Sequence, residues 1–198
     1  MKKLAAAFLS VLMLFSLTAC STEGEVPEPI TGDFVKGTID GDVYTNTFTR
    51  TKFTKPSSWV FATEQELIDL AGIGEYGYGI EDALESGIAI YDLQVKGDSG
   101  ESLVIGFDNL VMNGAEDITE EEYLGKFAAQ LESGGYTVEN LGKIKLGKNE
   151  YCAFECLIND VGIKVYQRYY VLRADKYMSF VIATSLEENF SDIEDMFS

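Results

Sequence analysis

From residue 34 onward the chain alternates runs of period two with runs of helical period. Residues 34–39 and 43–48 read as two strands of a hairpin around the tight turn Asp40-Gly41-Asp42. Pro56 ends a further strand, and Trp59 begins the next with an indole large enough to anchor a core. Thr63-Glu64-Gln65-Glu66 is a capping-box sequence ahead of Leu67, Ile68, Leu70 and Ala71, so a helix starts there. Residues 88–95 and 101–107 read as paired strands about a turn at 96–100, with Leu103, Ile105 and Phe107 on one face. Thr119-Glu120-Glu121-Glu122 is a second capping box. Its helix carries Tyr123, Leu124, Phe127, Ala128 and Leu131 on one side and ends at Gly134-Gly135. Residues 136–146, 149–158, 162–173 and 177–184 then read as successive antiparallel strands joined by short turns. Ser185-Leu186-Glu187-Glu188 reads as a third capping box, opening a final helix with Leu186, Phe190, Ile193 and Phe197 on one face. The order predicts one α+β domain over residues 33–198: an antiparallel β-sheet flanked by helices, without internal repeats.

The first 32 residues break this pattern. Lys2 and Lys3 precede an uncharged apolar run, residues 4–17, which is short for a spanning helix and has the build of a signal peptide. Leu17-Thr18-Ala19-Cys20 resembles the lipobox of bacterial lipoproteins. That resemblance implies removal of residues 1–19, lipidation of the Cys20 thiol, and a protein anchored by lipid to the cell membrane on its extracytoplasmic side. An ordinary cleaved signal with an incidental cysteine is the alternative. Residues 20–32 are polar and hold two prolines, Pro27 and Pro29. They read as a flexible linker with an extended reach of about 40 Å.

Composition narrows the chemistry. The 179 residues left after such a cleavage suit one core. They carry 13 basic and 33 acidic side chains, a net charge of −20. That surface repels nucleic-acid phosphates and anionic lipid headgroups, so no nucleic-acid partner is expected and the tether has to hold the protein at the membrane. The chain has no histidine. Ser-His-Asp and Cys-His catalysis and His-ligated zinc are thereby excluded. Neither an enzyme nor a cofactor or metal site is expected. Cys152 and Cys156 stand four apart on one strand, about 13 Å, beyond the roughly 7 Å a disulfide spans. They read as buried free thiols.

Two short patterns are weaker than they look. Gly72-Ile73-Gly74-Glu75-Tyr76-Gly77 matches G-x-G-x-x-G, but it follows a helix and places an acid where phosphate would approach. It reads instead as a glycine-tyrosine loop with Tyr76 and Tyr78 partly exposed, ahead of a short helical turn at 81–86. Asp40 and Asp42 lack the further ligands of a calcium loop.

Tyr44 and Asn46 on the second hairpin strand, followed by Phe53, Pro56 and Trp59, resemble a pattern of small exported lipoproteins with a Mog1/PsbP-like fold. Small residues are usual before the Phe and the Trp in that pattern, where this chain has Thr51-Lys52 and Ser57-Ser58. The resemblance implies an α/β/α sandwich and a binding or assembly role.

Charge also divides unevenly. Residues 141–176 hold seven basic and four acidic side chains, +3, while the rest of the mature chain is −23. Within that stretch Lys164, Tyr166, Arg168 and Tyr170 share one strand face, opposite Val161, Ile163, Val165, Tyr169 and Val171. Interleaved basic and aromatic groups are candidates for binding an anionic or peptide-like partner. The same face is equally built to cover apolar surface and pair with nearby acids. The sequence therefore predicts a tethered, non-catalytic module for a protein or envelope component. Its alternatives are a small-ligand or ion receptor and, further off, a carboxylate-based hydrolase.

Overall fold

A computed structural model of the chain describes residues 29–70, 89–160 and 162–198. The signal segment, Cys20, the loop at 72–77, Tyr78, the turn expected at 81–86 and Val161 lie outside the described residues. In chain order the elements are β1 (Thr38–Asp40), β2 (Val43–Asn46), β3 (Thr51–Thr54), β4 (Val60–Phe61) and α1 (Glu64–Leu70). Next come β5 (Ile90–Lys96), β6 (Ser102–Asn109) and α2 (Glu120–Ser133). Four long strands follow, β7 (Thr137–Leu146), β8 (Asn149–Asp160), β9 (Ile163–Ala174) and β10 (Tyr177–Ser185), and then α3 (Ser191–Glu194).

Seven strands form one antiparallel sheet in the order β4-β5-β6-β10-β9-β8-β7, and β1-β2-β3 form a second, smaller one. The architecture is α+β, an antiparallel sheet flanked by helices, as the order of elements predicts. The four strands of the last third run as a meander in sequence order, since each is joined to the next by a short turn. Both early capping boxes form. Thr63 and Glu66 exchange hydrogen bonds at the start of α1, and Thr119 and Glu122 do so at the start of α2.

Period-two alternation gives the large sheet two buried faces. On the first, Leu93, Val95, Leu103, Ile105 and Phe107 pack with Tyr44, Phe53 and Trp59 from the small-sheet side and with Phe190, Ile193 and Phe197 from the C-terminus. On the second, Cys152, Phe154, Cys156, Val171 and Phe180 pack beneath Tyr123 and Leu124 of α2. The chain is held from Ile30 onward: that residue is buried, and its carbonyl accepts the Asp175 N–H at 2.9 Å.

The third capping box does not form. Ser185 continues β10, opposite Tyr166, and its hydroxyl accepts the Glu187 N–H at 2.9 Å, turning the chain at once. Strand pairing wins over the helix start, and Leu186 is left exposed. Phe190, Ile193 and Phe197 are buried as the periodicity suggests, but only the four residues of α3 are helical.

The small sheet is fixed by one carboxylate. Register slips between Tyr91 and Leu93, a bulge that turns Asp92 and Leu93 onto the same face. Asp92 Oδ2 accepts from the Tyr44 hydroxyl (2.6 Å), the Gly37 N–H (2.8 Å) and the Asn46 amide (3.1 Å). Burial first, and then the Asp92 charge, raise Tyr44 well above an ordinary phenol, so it stays a neutral donor. A side chain at Gly37 would meet the Tyr44 ring at 2.2 Å, so this approach requires glycine. Tyr44→Phe is expected to remove about 1.5–3 kcal/mol, the worth of a hydrogen bond to a charged group. Urea unfolding checks it through a lowered midpoint at an unchanged slope.

Candidate functional site

The four residues singled out on β9 share one face, as alternation requires, but their surroundings differ. Tyr170 is 1% exposed, and its hydroxyl donates to Glu194 Oε1 at 2.8 Å. Arg168 lies opposite Glu155 in the β8–β9 register. Its Nε and Nη2 donate to Glu155 Oε2 at 3.1 and 2.6 Å, and its Nη1 donates to Glu194 Oε1 at 2.7 Å. The guanidinium also sits over the Phe190 ring, 4.5 Å from its centre. Both residues thus pin α3 to the sheet and are turned into the fold, away from any partner. Tyr166 is half-buried against the first core, and Lys164 is exposed. Two more of the region's basic groups are engaged within the molecule: Lys143 pairs at the surface with Glu150 at 3.2 Å, and Arg173 donates to the carbonyls of Ile118, Glu116 and Asp175.

The second face holds a recess that the sequence reading missed. Its walls come from five segments: Ala89 and Tyr91 at β5, Asp108 on β6, Tyr123 and Phe127 on α2, Tyr169 on β9, and Phe180 on β10. Its volume is about 90 Å³. Phe180 forms the floor because Gly106 has no side chain. A Cβ there would stand 2.2 Å from Phe180 Cζ and 2.6 Å from the Ile90 carbonyl. Tyr91 meets the edge of Phe180 with ring centres 5.8 Å apart. Tyr169 stacks on Phe154 at 4.7 Å, and Phe127 stands partly exposed at the rim, 5.2 Å from Tyr123.

Asp108 is the one carboxyl among the described lining residues, and the Tyr123 hydroxyl donates to its Oδ2. Burial raises this carboxyl above the ordinary aspartate value, against the lowering effect of that hydrogen bond. Burial and then Asp108 raise Tyr91 and Tyr123, and burial pushes Tyr169 up to about 12, so all three phenols are neutral. Tyr91 and Asp108 lie on strands whose alternation is legible, and Gly106 between large neighbours is the one local hint of a gap.

The cysteines are free and buried, on the face beneath α2. Burial first, with Glu121 at 3.5 Å, pushes the Cys152 thiol up to about 11, and burial raises Cys156. Both remain protonated and therefore poor nucleophiles. Among the described residues no group of three His, Cys, Asp or Glu side chains is placed to hold a metal ion. Asp42 of the hairpin turn is paired with Lys55 at 2.6 Å.

No protein-family model matches this chain, and no curated protein matches it either. Among solved structures it is similar to cyanobacterial PsbP (CyanoP) from Synechocystis sp. PCC 6803. The identity is 11%, the TM-score 0.46, and the match covers 84% of this chain and 97% of that one. A likeness at that level is one of outline and conveys nothing about partners.

Arg168→Met is expected to cost roughly 2–3 kcal/mol, because Glu155 and Glu194 lose their shared cation while half-withdrawn from water. A double-mutant cycle with Glu194→Gln, read by denaturant unfolding, should return a coupling above about 0.5 kcal/mol.

Proposed function

We propose that this chain is an exported, membrane-tethered binding module that acts without catalysis. In this reading residues 1–19 direct export, Cys20 carries the lipid, the segment after it is the tether, and the domain recognises a protein or envelope component. The observation that carries the binding role is the recess beside α2. It is walled by aromatic rings, has an exposed Phe127 at its rim, and is sized for a single side chain or a few heavy atoms. Asp108 is the one carboxylate among the described lining residues, and the phenol that donates to it, Tyr123, is raised well above its ordinary value, which suits the pair poorly to proton transfer near neutral pH. Arg168 and Tyr170 are occupied in holding the fold, which leaves Lys164 and Tyr166 as the open members of the β9 face. The net charge of −20 argues against nucleic acid and anionic lipid as the bound component.

Two measurements test this reading. Cys20→Ala should abolish fatty-acid labelling and move the protein out of the membrane fraction; a variant still labelled and membrane-bound sinks the tether. A photo-cross-linking residue at position 127 in intact cells should give a discrete adduct that one at position 187 does not. Equal adducts at both positions, or none, would count against the α2 face as the recognition surface.

A further inference from the structure

We infer that the recess beside α2 receives an alkylammonium group, held by the faces and edges of its rings and by the carboxylate of Asp108. The inference rests on the reading of that recess as the recognition site and adds the chemical class of its occupant. Three observations converge on it.

The first is the lining. Among the described residues, Tyr91, Tyr123, Tyr169, Phe127 and Phe180 surround a space with one carboxyl group and no cationic one. Aromatic rings attract an organic cation through their quadrupoles, more strongly where water is thin, and suit a cation clothed in methyl or methylene groups. The second is the state of Asp108. It is half-buried, takes a single donor from Tyr123, and is not paired with a lysine or arginine. An anion in that setting is short of compensation, which a cation in the recess would supply. The titratable groups around it are Tyr91 from β5, Tyr123 from α2 and, beside Tyr91, Tyr169 from β9; β10 presents Phe180 and Ile182. The third is size and field. A volume of about 90 Å³ admits one trimethylammonium or primary-amine head and excludes a larger ligand. The chain's net charge of −18 gathers cations around it.

Two sources share this chemistry: a free quaternary cation and the amine of a lysine-like side chain on a partner. The test uses the full chain in nonionic detergent, with ring-proton NMR of Tyr91, Tyr123 and Tyr169 as the readout. It is titrated with tetramethylammonium chloride, n-butylammonium chloride, tert-butanol as a neutral probe of similar size, and sodium chloride at matched ionic strength. Saturable shifts are expected at those rings with one or both ammonium probes and not with the controls. Tighter tetramethylammonium binding names the free cation, and tighter n-butylammonium binding names the amine. Asp108→Asn keeps an acceptor for Tyr123 and removes the charge. It should weaken binding about tenfold or more, with the thermal midpoint at or above that of the parent. Affinity should rise with pH as Asp108 ionises and be flat in Asp108→Asn. Equal binding of tert-butanol, an unchanged affinity in Asp108→Asn, or no shift at these rings overturns the assignment. None of these results depends on Cys20 or on the adduct at position 127, so the inference can fail while the tethered module stands.

Discussion

The fold depends on the Asp92 carboxylate. It sits at a bulge in β5 and binds three donors from the segment that leads into and forms the small sheet: Gly37, Tyr44 and Asn46. Without it, the Tyr44 hydroxyl would be buried unpaired, at about 1–3 kcal/mol, the half-buried Gly37 N–H would lose its partner, and the Asn46 amide nitrogen would keep only the Val35 carbonyl. The contact is also the head of a longer polar line. Asn46 accepts from the Thr49 N–H at 2.9 Å, the Thr49 hydroxyl donates to Thr51 at 2.9 Å, and the Thr51 and Tyr151 hydroxyls meet at 3.3 Å. Asn149 closes the line by donating to the Thr49 carbonyl at 2.7 Å. Hydrogen bonds have direction, so this line sets where the small sheet sits on the large one more sharply than apolar contact alone would.

The two faces of the large sheet are then closed by different means. On the first, the small sheet and the C-terminal segment cover the core, and the Arg168 pairings with Glu155 and Glu194 lock the latter down. Phe34 leaves the hairpin to stand against Phe48, Phe107 and Tyr177, which adds a ring cluster beneath the small sheet. On the second, α2 packs over the strands through Tyr123 and Leu124, above Cys152, Phe154 and Cys156. The recess lies along the flank of that helix. Gly106 deepens it by letting Phe180 lie low.

Much of this was legible because local signals agreed with the fold. Thr63 and Thr119 mark the true helix starts, and the four long strands of the last third fall within a few residues of the periodicity. Alternation also places Leu103, Ile105 and Phe107 together, and Cys152 with Cys156. What was not legible is non-local. Ser185 carries the signature of a helix cap, but its pairing with Tyr166 is a tertiary fact that overrides it. The first strand is shorter than its pattern, Thr38–Asp40, because Gly37 spends its N–H on Asp92. No spacing rule links Asp92 to Tyr44, since the bulge that turns it inward has no local signature here. The recess has walls from five segments, and a basic-aromatic face on one strand was the more visible pattern. That pattern is real, but two of its four members answer to Glu155 and Glu194, which the strand alone does not show.

The contrast between the three charged sites bears on where function lies. Asp92 gathers three donors on one oxygen, and Arg168 holds two carboxylates and a ring. Each is held by several partners and resists change, because removing one strands a charge, although Asp92 Oδ1 is buried with no hydrogen-bond partner among the described residues. Asp108 has one donor and a wall of neutral rings, and burial works against its charged form. Its linkage to stability accordingly has the opposite sign to that of a salt-bridged aspartate. With its folded pKa above the unfolded value, it favours the folded state at acid pH and loses that contribution as pH rises through the folded pKa. A half-buried carboxylate with one donor among neutral rings gains nothing in stability from its setting. Local departures from a consistent fold tend to collect where something is bound. One such departure lies in the recess, where a half-buried carboxylate with a single donor is set among aromatic rings.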